Sequence, residues 1–172
     1  MEKSIEHGLD YYIGTMPGTE KKDTKEYSPL ALAYIGDCVF DLVIKTRVAA
    51  RGSRQVHKLH EETSHYVQAS SQSFMMRAMQ EHLTPEEHAV YRRGRNVKSV
   101  SAAKNQSITD YRRATGFEAL IGFLYLEHRY ERLTQLISIG LASMEEDGEN
   151  GESKKGAQEK PAEKGVEDAG KK

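Results

Sequence analysis

Apolar residues recur at steps of three and four along the middle of this chain, which predicts helices. The first run starts at Ser28-Pro29, a capping hydroxyl followed by a proline whose missing N–H costs nothing in a first turn. Its apolar positions continue to about Ala50, where Gly52 stops them. Val56, Leu59, Thr63, Tyr66, Val67, Phe74, Met75 and Met79 keep the same spacing, so about 55–82 reads as one or two helices around a polar stretch, Ser70 to Ser73. The methionines read as core filler. Thr84-Pro85-Glu86-Glu87 is a capping box with proline at the first helical position, opening a short helix to about Gly94. Residues 96–107 hold Asn, Ser, Lys and Gln without a period and read as an exposed loop. Helices over about 109–127 and 130–143, parted near His128 and Arg129, complete the pattern. Neither a strand-like alternation of useful length nor an internal repeat is present, so the fold class is all-α.

The ends of the chain differ from this middle. With 172 residues there is material for one core. Residues 1–26 form a polar N-terminal arm in which Gly14, Pro17 and Gly18 interrupt any helix, though Ile5, Leu9, Tyr11, Tyr12 and Ile13 offer local packing. Residues 144–172 read as a disordered charged tail, since 145–172 hold nine acids and six bases with almost no aliphatic side chain. The folded unit is thus 27–143. One cysteine, Cys38, excludes an intrachain disulfide and a thiolate zinc cage and points to a reducing compartment; in its apolar context it reads as a small buried residue. The longest apolar run, Gly116 to Leu126, contains Glu118 and falls short of the roughly 18 residues of a membrane span. A cytoplasmic protein without a membrane partner is the expectation.

Two acids stand in apolar surroundings. Asp37 lies within LALAYIGDCVFD, with Ala33, Tyr34, Phe40 and Asp41 one turn away, on a surface expected to be buried or half-buried. Glu118 lies within ATGFEALIGFLYL, between Ala114, Thr115, Ile121 and Gly122. Desolvating an ionised carboxylate is costly, so each must find a cation or stay protonated. A buried arginine partner, or a carboxylate that caps a backbone turn, is one answer. The other follows from the small residues beside them, which permit a close helix crossing; two carboxylates meeting there would need a divalent cation, and oxygen-only ligation suits Mg²⁺ or Mn²⁺.

Charge is also unevenly spread. The whole chain carries −1, yet Tyr91 to Arg113 holds seven bases (Arg92, Arg93, Arg95, Lys98, Lys104, Arg112, Arg113) and one acid, Asp110. Guanidinium forks on a helix end and loop, with Asn96, are suited to phosphates, which makes nucleic acid the expected partner. Beside a carboxylate-held Mg²⁺ the patch points to phosphodiester chemistry. His57, His60 and Glu61 lack a zinc-protease spacing and are given no role.

These segments carry a resemblance. YIGDCVFD resembles the signature helix of ribonuclease III catalytic domains, and FEALIGFLYLE resembles their second acidic motif. LALAYIGD, RRGRN, Lys104-Asn105 and YRRATGFEALIG are closer still to the short bacterial members of that family without a double-stranded-RNA-binding domain; the likeness covers about 28–140. It implies a ribonuclease III endonuclease-domain-like helical bundle, a homodimer with a groove for double-helical RNA, and Mg²⁺-dependent hydrolysis leaving 5′-phosphate and 3′-hydroxyl ends. It implies catalytic and metal-binding roles for Asp37 and Glu118, and RNA binding for Arg92, Arg93, Arg95, Asn96, Lys98 and Lys104. Its substrate would be precursor 23S ribosomal RNA, trimmed at its paired ends, with the need for a ribosomal protein left open. Leu30, Ala33 and Thr115 stand where longer members carry further carboxylates, as in the short members, which leaves one or two ions per site open. The rival reading is a helical RNA-binding or ribosome-assembly module without catalysis, which would keep the basic patch but not need both acids.

Overall fold

The computed structural model describes residues 8–20, 22–98 and 107–156. Its helices are α1 (Leu9–Gly14), α2 (Pro29–Ala50), α3 (Val56–Val67), α4 (Ala69–Met79), α5 (Pro85–Arg95), α6 (Ile108–Leu126) and α7 (Tyr130–Gly156), with single 3₁₀ turns at Thr24–Glu26 and Gln80–His82. No strand occurs among the described residues.

Local chemistry sets most boundaries. The Ser28 hydroxyl accepts from the Ala31 N–H at 3.1 Å at the start of α2. At the start of α5 the capping box closes: the Glu87 N–H donates to Thr84 Oγ1 at 3.3 Å, and the Thr84 N–H to Glu87 Oε2 at 2.8 Å. The turn between α6 and α7 puts His128 at φ 56°, with the His128 N–H donating to Tyr125 O and the Arg129 N–H to Leu124 O. That is a Schellman closure with histidine where glycine is usual. His128 Nδ1 lies 2.7 Å from the Tyr130 hydroxyl and 3.1 Å from Asp10 Oδ2, which pins the otherwise exposed α1 to this corner.

The core is organised around α6. From Ala114 to Leu124 every residue except Glu118 is buried, as expected of a helix that is apolar all round; α2, α5, α4 and α7 pack on it. Phe40 of α2 meets Phe117 of α6 edge to face, with centroids 4.8 Å apart. Met75, Met76 and Met79 are fully buried, in the filler role their spacing implied.

The 55–82 segment is two helices, as the pattern allowed, but they break at Gln68, whose extended backbone ends α3 and starts α4. The polar stretch lies inside α4, with Ser71, Gln72 and Ser73 buried. And α7 does not stop at 143: it runs to Gly156, so the expected disordered tail begins as helix. Low apolar content reports a lack of burial, not a lack of helix, and the Glu145 carboxylate anchors the first extra turn by accepting from Arg47 at 2.7 Å.

One buried ion pair locks α5 to α7. Glu87 is 1% exposed and receives Arg132 Nε and Nη2, both at 2.9 Å. Burial pushes its carboxyl up, but Arg132 and the Thr84 backbone outweigh this and leave it below the ordinary value. A depressed folded pKa adds stability above the unfolded pKa and loses it as pH falls through the folded one. Glu87→Ala should therefore cost about 3 kcal/mol at pH 7, the low end for a broken buried pair because Arg132 keeps a quarter of its side chain in solvent. Urea unfolding of both proteins should show that gap narrowing toward pH 3.

Candidate active site

The two acids are brought together by a backbone-to-backbone crossing of α2 and α6. A Cβ built on Gly36 would lie 1.8 Å from the Glu118 carbonyl oxygen, and one on Gly122 would lie 2.0 Å from the Leu32 carbonyl oxygen. Only hydrogen fits at either place. Ala33 and Ala114 flank the crossing and are also buried. Asp37 follows Gly36 in α2, so it emerges beside the turn of α6 that carries Glu118.

Glu118 is half-buried and Asp37 is exposed. That corrects the expectation for Asp37: the core-facing positions of α2 are Leu32, Ala33, Gly36, Phe40, Ile44 and Val48, and Asp37 falls on the flank of that stripe. Cys38, expected to be buried, is exposed as well, since it lies two positions from the stripe on either side. Burial lifts the Glu118 carboxyl, the Asp37 charge lifts it further, and the nearby Gln72 amide opposes both, leaving it at about 7. The two carboxyls therefore sense each other across the crossing.

Among the described residues neither pairs with a cation: the ion pairs join Lys45 to Asp41, Arg47 to Glu145, Arg51 and Arg54 to Glu62, His128 to Asp10, Arg129 to Glu86 and Glu127, and Arg132 to Glu87. This leaves Asp37 and Glu118 without the arginine that a structural role would supply. Nor do the described residues hold a cluster of three or more His, Cys, Asp or Glu placed to bind an ion. The site offers two carboxylates and space. A hard divalent cation fits this set: like charges converge, the donors are oxygens, and the remaining positions would go to water and phosphate oxygens. Leu30 is half exposed, Ala33 and Thr115 are buried, and none of the three supplies a further carboxylate.

The basic segment stands alongside. Arg92, Arg93 and Arg95 occupy the last turn of α5, Asn96 is its C-cap, and all four, with Lys98, are exposed. Lys104 and Asn105 lie outside the described residues. Gly94 sits flat on α6, where a Cβ would come within 3.0 Å of the Thr115 carbonyl oxygen and of Gly116 Cα. That contact fixes the arginine turn next to the Glu118 segment. Cations at a helix C-terminus are favoured by its dipole, and none of these arginines pairs with a described acid. They remain available to phosphates.

One polar residue at the site escaped the pattern reading. Gln72 is 1% exposed and faces Glu118 from α4. Its only signal in the sequence was a glutamine within the polar stretch Ser70 to Ser73 of an otherwise apolar-periodic segment.

Comparison with known proteins identifies the family of this fold. The Ribonuclease III domain model matches residues 30–129. A solved Fusobacterium nucleatum structure superposes with a TM-score of 0.64 at 27% identity, covering 72% of this chain and 98% of that one. The chain belongs to the ribonuclease III family, endoribonucleases that act on double-stranded RNA and generally use a divalent metal. Within that family it falls with Mini-ribonuclease 3. The Clostridium tetani protein of that name is 45% identical over 131 residues, 76% of this chain and 87% of the relative. That of Thermoanaerobacter is 40% identical over 149 residues, 85% of this chain and all of the relative.

Proposed function

We propose that this endoribonuclease is Mg²⁺-dependent, with Mn²⁺ as a substitute, and matures the paired ends of precursor 23S ribosomal RNA in the cytoplasm as a homodimer. The observation that carries the metal site is the pair Asp37 and Glu118, held at a backbone crossing without a counter-cation. Bound between them, the ion would supply Lewis-acid stabilisation of the charge that builds on a phosphodiester under attack. Asp37 reaches it from the solvent side, where the RNA strand must lie, and Glu118 from the half-buried side. Arg92, Arg93, Arg95, Asn96, Lys98 and Lys104 would grip phosphates on either side of the cut. They read backbone shape, which fits A-form RNA, whose bases are hidden in a deep major groove. The ribosomal substrate rests on kinship with Mini-ribonuclease 3.

The dimer is supported by the outer face of α2. Leu30 is 48% exposed, Tyr34 74% and Leu42 57%, and with exposed Cys38 they line up at four-residue steps along one side of the helix. A second copy covering that stripe would place two Asp37 side chains near one interface. Light scattering reports the mass directly.

The catalytic reading is tested by incubating wild type and Asp37→Asn with double-stranded RNA and with a paired-end precursor 23S fragment in Mg²⁺. Wild type should cut and leave 5′-phosphates, while Asp37→Asn should bind without cutting. A wild type that binds both RNAs and leaves them intact would instead be the non-catalytic RNA-binding module.

A further inference from the structure

The polar face of α4 contains one residue that its neighbours do not explain. Ser71 Oγ donates to the His65 carbonyl at 2.6 Å, and Ser73 Oγ donates to Asp110 Oδ1 at 2.6 Å. Between them Gln72 is equally buried, yet among the described residues neither its Oε1 nor its Nε2 meets a partner in hydrogen-bond geometry. Buried amides are nearly always bonded, so one that is not calls for a cause. Gln72 lines a cleft of about 270 Å³ together with Val67, Tyr111, Ala114, Thr115 and Glu118. Its amide stands near enough to favour the ionised form of Glu118 but stops short of hydrogen-bond geometry.

Of the residues one turn from Glu118, Ala114, Ile121 and Gly122 carry no polar side-chain atom, and the Thr115 hydroxyl donates to the Tyr111 carbonyl at 3.0 Å. Gln68, which also lines the cleft, donates its amide to Ser71 Oγ at 3.2 Å. Resting on the assignment of Asp37 and Glu118 as the divalent-cation site, we infer that Gln72 is a positioning residue. Its Nε2–H₂ donates to one Glu118 oxygen and holds the other turned toward Asp37, while its Oε1 accepts from a water in the cleft. Partners that fix a ligating carboxylate are worth about 10- to 100-fold in metal affinity.

The test uses the full chain and Mn²⁺ alone, titrated in the absence of RNA and followed by the electron paramagnetic resonance of the free ion. Gln72→Met keeps the length of the side chain and removes both hydrogen-bonding groups. It should weaken Mn²⁺ binding by about 10-fold or more and raise the Mg²⁺ concentration for half-maximal cleavage by a similar factor. Its binding to double-stranded RNA in chelator should stay within about 2-fold, on the premise that shape and phosphate contacts carry it. The melting temperature should hold or rise, because an unpartnered buried amide is gone. A merely structural glutamine predicts the reverse: a lower melting temperature and unchanged Mn²⁺ affinity. Should Gln72→Met not fold, Gln72→Leu is read by the same titration. Asp37→Asn is the control: if it loses Mn²⁺ while a folded Gln72 variant keeps wild-type affinity, this inference alone is overturned. If Asp37→Asn binds Mn²⁺ as wild type does, the metal-site assignment falls and takes the inference with it.

Discussion

Gly36→Ala is expected to abolish the folded state or to cost well over about 4 kcal/mol, the range reached only by severe core disruption. Alanine in a helix interior normally gains about 1 kcal/mol over glycine, so the sign here is set by packing alone. The new methyl would fall 1.8 Å from the Glu118 carbonyl oxygen and 2.7 Å from both the Glu118 carbonyl carbon and the Gly122 nitrogen. All three are backbone atoms of the central helix and cannot swing aside as a side chain would. The helices would have to separate, opening the Phe40–Phe117 pair and the buried layer around Ile44 and Leu120. Gly148→Ala is the control, because Gly148 is exposed on α7 with nothing within 4 Å of its added Cβ. It should match or slightly exceed wild type. Circular dichroism melts of the two variants should diverge in opposite directions, and a Gly36→Ala protein melting like wild type would contradict the backbone contact.

Glu118→Gln should do two opposite things: reduce cleavage by about a thousandfold or more, as loss of a principal electrostatic group does, and stabilise the metal-free protein at alkaline pH. The second effect follows from the carboxyl standing at about 7 in the folded chain. A raised pKa means that the folded state holds its proton more tightly than the unfolded one. Its contribution to stability is full below the unfolded value near 4.5 and is lost as pH rises to about 7. The span corresponds to about 3 kcal/mol at 1.36 kcal/mol per unit, less what partial solvent contact screens. In chelator, wild type should therefore lose stability between these pH values, while Glu118→Gln, which has no charge to bury, should not. Mg²⁺ should restore wild type, through mass action on a site present only in the folded state, and leave the variant unmoved. If wild type is the more stable of the two in chelator at pH 8, the carboxylate is satisfied by something other than an ion. Because activity and stability move in opposite directions, a general folding defect cannot imitate the result.

Helix positions and the starts of α2 and α5 were legible in the chain because their causes are local: the Ser28 and Thr84 caps, the prolines that follow them, and the three-four spacing act within one or two turns. The α3–α4 break and the end of α7 were not, since contacts from distant segments set them. The two acids were legible as anomalies for the same reason, since their apolar neighbours are neighbours in sequence. Burial at each single position was not. One helical register step decides that Asp37 and Cys38 face solvent while Gly36 faces α6, and periodicity in a mostly apolar helix such as α2 does not resolve one step. Gln72 looked like part of a polar interruption until α6 was laid against α4. Only the fold shows that its amide is buried, without a partner in hydrogen-bond geometry among the described residues, beside a carboxylate 46 positions further along.

The sequence alone therefore determined an all-helical chain, its basic segment and two acids set among apolar neighbours, because propensity, capping and charge are properties of short stretches. The tertiary structure decided that those acids lie beside one another, that among the described residues no arginine pairs with either and that a glutamine stands beside one of them. Whether a charged group is matched depends on what the folded chain brings to it from far away, and that is settled by the contact between α2 and α6 at two residues without side chains.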